Sequence, residues 1–166
     1  MTAKPHEFLH PSHWKPAIGY SNGVAASGRM VFTGGLIGWN AQQEFETDDL
    51  VEQVEQILKS IVEVLACAGA GPEHLVRLTW YVTDKKEYLG SLRELGRVYK
   101  EVIGRHYPAM ALVQVADLVE DRAKVEIEAT AVIPEVTGDE DESAGANTTA
   151  IIPAESAEPT KVIKKG

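Results

Sequence analysis

A helical period runs through residues 50–68, where Leu50, Val54, Ile57, Leu58, Ile61, Leu65 and Ala68 recur at three- and four-residue steps and so share one face. Thr47 stands where a cap is needed, Asp48 and Asp49 fall in the first turn, and Gly69 marks the end. Upstream, residues 23–27 and 29–37 are two short apolar runs separated by Gly28, which predicts a hairpin. Downstream the period drops to two. Over residues 75–82, Val76, Leu78, Trp80 and Val82 fall on one side and Leu75, Arg77, Thr79 and Tyr81 on the other. Asp84, followed three residues later by Glu87, reads as the start of a second helix that turns Tyr88, Leu92, Leu95, Tyr99 and Val102 inward and stops at Gly104. Two last strands are expected at 111–116 and 124–133, joined by a charged turn around Glu120, Asp121 and Arg122. In the final strand Val125, Ile127, Ala129, Ala131 and Ile133 face one way, and Lys124, Glu126, Glu128, Thr130 and Val132 the other.

The order ββαβαββ predicts an α+β fold in which two helices cover one face of a sheet. The second face is mixed, with Arg77, Thr79, Tyr81, Gln114, Glu126 and Glu128 among apolar neighbours. Such a face is either solvated or the wall of a subunit interface, and periodicity leaves both open.

The ends differ from the middle. Residues 1–19 contain Pro5, Pro11 and Pro16, and read as an extended arm that packs through Phe8, Leu9 and Trp14. A domain over residues 20–135 follows. From Val136 to Gly166 no apolar period persists and acids predominate, so a disordered acidic tail is expected. Removing residues 137–166 leaves 13 basic and 19 acidic residues of a total of 16 and 25, so the rest is acidic in its own right.

The whole chain of 166 residues carries a net charge of −9, which repels phosphate backbones and argues against nucleic acid as a partner. No run is long enough for a membrane span, and the first residues lack the apolar core of a secretory signal, so a cytoplasmic protein is expected. His6, His10 and His13 lie close together, but intervening prolines and the lack of a carboxylate at ligand spacing predict no metal. The single cysteine, Cys67, excludes an internal disulfide and is expected to be a small buried packing residue.

Six segments in order resemble the Rid (YjgF) family of reactive intermediate deaminases. They are Ala17–Val24, Val31–Ile37, Ala68–Ala70, Thr79–Asp84, Tyr107–Met110 and Val125–Ala131. The resemblance implies a chorismate-mutase-like α+β fold, a mixed sheet with two helices on one face. It also implies a homotrimer formed through the other face, with small-molecule clefts at subunit boundaries and no cofactor. Members of the RidA type hydrolyse enamines and imines to a carbonyl compound and ammonia.

Carried over by position, Glu126 matches the carboxylate that positions or deprotonates water, and Tyr20 a tyrosine at the cleft edge. Gly35 and Leu112 match backbone contacts to the substrate. Glu126 can equally be an ion-pair partner of Lys124 or Arg77, and Tyr20 can be a packing aromatic. Met110 stands where the RidA type has an arginine. Methionine offers polarizable apolar surface and no bidentate fork, so a 2-imino acid such as 2-aminoacrylate should bind poorly. Leu112 and Trp39 make the cleft more apolar still. Arg77 and Arg105 are candidates for a displaced charge or for ordinary ion pairs. A deaminase-type hydrolase acting on a small substrate and a trimeric small-molecule-binding protein both fit these residues.

Overall fold

The structure, a computed structural model, describes residues 5–135. The tail expected at 136–166 lies outside the described residues. Strands β1 (Glu7–Leu9), β2 (Gly23–Ala25), β3 (Arg29–Phe32) and β4 (Leu36–Ile37) precede helix α1 (Leu50–Cys67). After a short 3₁₀ turn at Pro72–His74 come β5 (Leu75–Val82), α2 (Lys85–Gly90), α3 (Leu92–Val102), β6 (Ala109–Gln114) and β7 (Val125–Ile133). The main sheet runs β3-β7-β5-β6, with β4 also paired to β7; β5 and β6 are parallel and the other pairs antiparallel.

The expected hairpin does not form. β2 pairs with β1 in a separate two-stranded sheet, and β3 pairs with β7. Gly28 redirects the chain: its φ of +143° suits glycine, and a Cβ there would overlap the Ile133 carbonyl oxygen and lie 2.8 Å from its carbon. The run 29–37 is also interrupted. Between the Phe32/Thr130 and Leu36/Ile127 pairs, three residues on one side face two on the other, a bulge of one residue. Thr33 closes it from both sides, its N–H donating to Ala129 O and its Oγ1 accepting the Ala129 N–H, each at 2.9 Å.

A second irregularity separates Leu75 from Arg77 in β5, so Leu75 rather than Val76 joins Leu78, Trp80 and Val82 in the core. The two last strands are not neighbours, because β5 lies between β6 and β7, and β6 spans 109–114 rather than 111–116. Gln114 consequently shares the parity of buried Val82, and its Oε1 accepts the Lys85 N–H at 2.9 Å at the start of α2. It leaves the mixed face to which the alternation assigned it.

Helix α1 buries Leu50, Val54, Ile57, Leu58, Ile61 and Leu65, the face its period defines. Its cap is Asp49, in extended conformation, accepting the Glu52 N–H at 3.0 Å. Thr47 sits two residues outside, accepting the Asp49 N–H and donating to the Glu52 carboxylate. The second predicted helix is two helices. Asp84 caps α2 through the N–H groups of Lys86 and Glu87, while the Ser91 hydroxyl returns to Glu87 O at 2.9 Å where α2 gives way to α3. The break leaves Leu92 half exposed, with Leu95, Val98 and Tyr99 buried. Cys67 is exposed, donating to Glu63 O, and not a packing residue. Among the described residues no helix is long and apolar enough to cross a membrane.

Candidate functional site

The site residues fall into two groups. The first lies on the sheet face away from the helices. In β7, Val125, Ile127 and Ala129 are buried under the helices, so the alternation turns Glu126, Glu128 and Thr130 to the other side. Glu126 is opposite Ile37 on one flank and Tyr81 on the other. The bulge at Thr33 delivers Gly35 against its carboxylate: a Cβ at Gly35 would overlap Glu126 Oε1 and stand 2.7 Å from Cδ. Glu126 is half buried and, among the described residues, its carboxylate makes no hydrogen bond or ion pair. The ion-pair alternatives are not realised there, since Lys124 reaches Glu87 at 2.6 Å.

Tyr81 donates to Glu128 at 3.4 Å, and desolvation first, then the Glu128 charge, pushes its phenol above the usual range. Its proton is therefore retained at neutrality. Arg77 and Arg105 are exposed, and neither makes an ion pair with a carboxylate among the described residues.

The second group lines the outer edge of β6. Met110 and Leu112 pair with Leu78 and Trp80 and share their parity, so they lean on the helix-side core while remaining partly exposed. Tyr20 reaches the same edge: its neighbour Ser21 pairs with Ala109, Ser21 N–H donating to Pro108 O at 3.0 Å and Ser21 Oγ to Tyr107 O at 2.5 Å. Tyr20 itself is 44% exposed. Within one chain, then, Glu126 and Met110 do not meet. They lie on opposite faces, and two strand spacings of about 4.8 Å separate their backbones.

Trp39 follows β4 in a loop held from beneath. Its ring meets Phe45 at 6.2 Å, Arg122 lies over Phe45 at 5.4 Å, and Arg122 also reaches Asp48 at 2.8 Å and Phe45 O at 2.9 Å. That hydrogen bond is what holds the Asp48 carboxyl below its ordinary range. Sequence reasoning missed Gln53, which is fully buried and ties this loop to β7: its Nε2 donates to Thr47 O and Arg122 O and its Oε1 accepts the Lys124 N–H. The available signal was a polar residue inside the apolar stripe, between Leu50 and Ile57. The arm's histidines are dispersed. His6 lies buried against His74 O, His10 bonds Asn22, and His13 stands edge-on to Trp14, which is 53% exposed rather than packed. Among the described residues no group of three metal-binding side chains comes together.

The model of the family described as Endoribonuclease L-PSP matches residues 11–133. Protein DfrA of Myxococcus xanthus is 36% identical over 135 residues, covering 80% of this chain and 99% of that protein. RutC family protein y4sK of Sinorhizobium fredii is 35% identical over 114 residues, covering 68% and 86%. Among solved structures, YyfB of Yersinia pestis, a protein of unknown function of the conserved Rid family, superimposes with a TM-score of 0.71 at 30% identity, over 78% of this chain and 99% of that one.

Proposed function

The chain belongs to the Rid (YjgF) family, and from that premise we propose that it hydrolyses a carbon–nitrogen double bond in a small metabolite, with Glu126 handling the proton of the attacking water. The observation that carries this is the Glu126 carboxylate, half buried, unpaired among the described residues, and seated against a backbone with no Cβ at Gly35. A carboxylate already committed to an ion pair would be a poor proton acceptor, and one in open water would have no fixed geometry. The missing Cβ lets the carboxylate sit directly against the Gly35 backbone, which fixes its position.

The chemistry needs nothing further from the protein than position and charge. As a water oxygen bonds the imine carbon, Glu126 takes a proton and the C=N electron pair moves to nitrogen. With the imine entering in its protonated form, this gives the neutral carbinolamine; Glu126 returns the proton to nitrogen, then accepts the carbinol O–H proton as C=O forms and the C–N bond breaks, so that a carbonyl compound and ammonia leave. An enamine enters the same path after tautomerising to its imine.

Met110 and Leu112 supply the opposite wall, and it is apolar. The substrate class is accordingly one without a carboxylate at the reacting carbon, and 2-aminoacrylate is a poor fit. Because the Glu126 group and the Met110 edge do not meet in one chain, the cleft closes between copies, the face of one against the β6 edge of the next. Exposed Phe32 and Val113 on the Glu126 face favour such burial, and a closed ring of three satisfies a heterologous contact of this kind. The net charge of −9 disfavours RNA as substrate, whatever the description of the family model.

Ammonia release above the uncatalysed rate, measured on 2-aminoacrylate generated in situ and on a carboxylate-free ketimine, tests the reading. Acceleration of the ketimine alone is expected. Equal acceleration of both would remove the role given to Met110, and a ligand held without product would make the protein a binding module.

A further inference from the structure

The N-terminal segment builds a pocket that the reading above leaves unused. β1 precedes the stretch matched by the family model, pairs with β2, and borders an open groove of about 260 Å³. Phe8, Leu9, Pro16 and Ala17 give it apolar lining. His10, Tyr20, Ser21 and Asn22 complete it, and most of their polar atoms are already engaged. Ser21 Oγ donates to Tyr107 O. Asn22 Nδ2 donates to His10 Nδ1 at 3.0 Å, which leaves the ring proton on Nε2, 3.2 Å from Trp14 O. Among the described residues the Tyr20 hydroxyl and the Asn22 side-chain oxygen of this set make no hydrogen bond.

Size and chemistry narrow the occupant. A dry cavity of roughly 150 Å³ lined by aliphatic and aromatic side chains holds a benzene ring, while complete ligand sites run from about 300 Å³ upward. This pocket thus matches one ring-sized group, not a whole ligand. No Asp, Glu, Lys or Arg lines it, so a charged group gains no partner of opposite sign there, whereas an apolar ring gains contact with Phe8, Leu9, Pro16 and Ala17. Its position is also telling, because Tyr20 stands at once in its lining and beside the start of the β6 edge.

We infer that the pocket is a specificity subsite that receives an uncharged, ring-sized or branched apolar tail of the substrate and directs the reacting carbon past Tyr20 toward the β6 edge. The second half of this statement rests on the reading of the cleft given above; occupancy of the pocket does not. The arm, added ahead of the family's matched stretch, would then tune which substrate this chain accepts.

Titration of the isotope-labelled full chain with benzyl alcohol, followed by amide NMR, provides the test. Shifts are expected at residues 8–10 and 17–22, with benzylamine and phenylacetate binding at least about tenfold more weakly. Ala17→Trp fills the pocket and should weaken benzyl alcohol by a similar factor. Leu9→Ala enlarges it and should turn the preference toward indole, which decides the matter if the tryptophan displaces β1. No shifts at these residues in the wild-type chain, or no response to either substitution, overturns the inference. The same titration on Glu126→Gln should be unchanged. Lost probe binding with ammonia release intact removes only the subsite, and probe binding without turnover in the wild type removes only the hydrolase.

Discussion

On β7, a carboxylate stands over Gly35 in contact so close that a single methyl group would collide with it; on β6, Met110 and Leu112 lean on the core and present plain apolar surface. The first region is specified by geometry and tolerates almost no change. The second is specified by polarity, and its side chains can vary as long as they stay apolar or are replaced by something with a purpose. A cleft assembled from two such regions can keep its chemistry while changing its substrate. The difference teaches where to look for reactivity in this chain and where to look for selectivity.

Changes on the strict side should have the greatest consequence. Glu126→Gln is expected to lower ammonia release by about 10²–10⁴-fold while the melting temperature stays put, since Gln keeps the shape of the side chain and no ion pair is lost. Gly35→Ala should act in the same direction by displacing that carboxylate. The contrast sharpens against a purely structural site: Ile57→Ala, at a fully buried position of α1, should cost about 2–5 kcal/mol in denaturant unfolding and leave the activity of the folded fraction near wild type. On the permissive side, Met110→Arg should raise turnover of 2-aminoacrylate about tenfold or more by adding charge-assisted hydrogen bonds, with the ketimine rate falling. Asp49→Ala, removing the cap of α1, should cost about 1 kcal/mol by the same unfolding measurement.

The smallest effect is a pH dependence. Backbone N–H groups of Glu87 and Lys86 hold the Asp84 carboxyl below its ordinary 3.8. A folded-state value lower than the unfolded one stabilises above the unfolded value and is lost as the pH falls through the folded one. The stability gap between wild type and Asp84→Asn should therefore be full at neutrality and close below about pH 3.8.

Local patterns were readable and non-local ones were not. The face of α1 and the alternation of β7 follow from periods of 3.6 and 2 and appear where the residues place them. The pairing of β3 with β7 joins residues about a hundred positions apart, and nothing within 23–37 announces it. The bulges at Thr33 and Val76 each shift a strand by one residue, which a strict period cannot represent, and the Ser91 break looks like continuous helix because Ser and Gly are weak local signals. Glu126 and Gly35 are 91 positions apart. Their contact depends on register across β4 and β7, so composition and spacing alone could nominate each residue, and only the fold could bring them together.

Mixing experiments address the shared cleft. Glu126→Gln and Met110→Asp chains, each inactive alone and each assembled as the wild type is, would be dissociated, combined in equal amounts and reassembled. If one copy supplies the carboxylate and its neighbour the apolar edge, about a quarter of the wild-type ammonia release returns, because random pairing across a heterologous contact leaves that share of sites with both halves intact. A mixture as inactive as its components would mean that the two regions do not form one site.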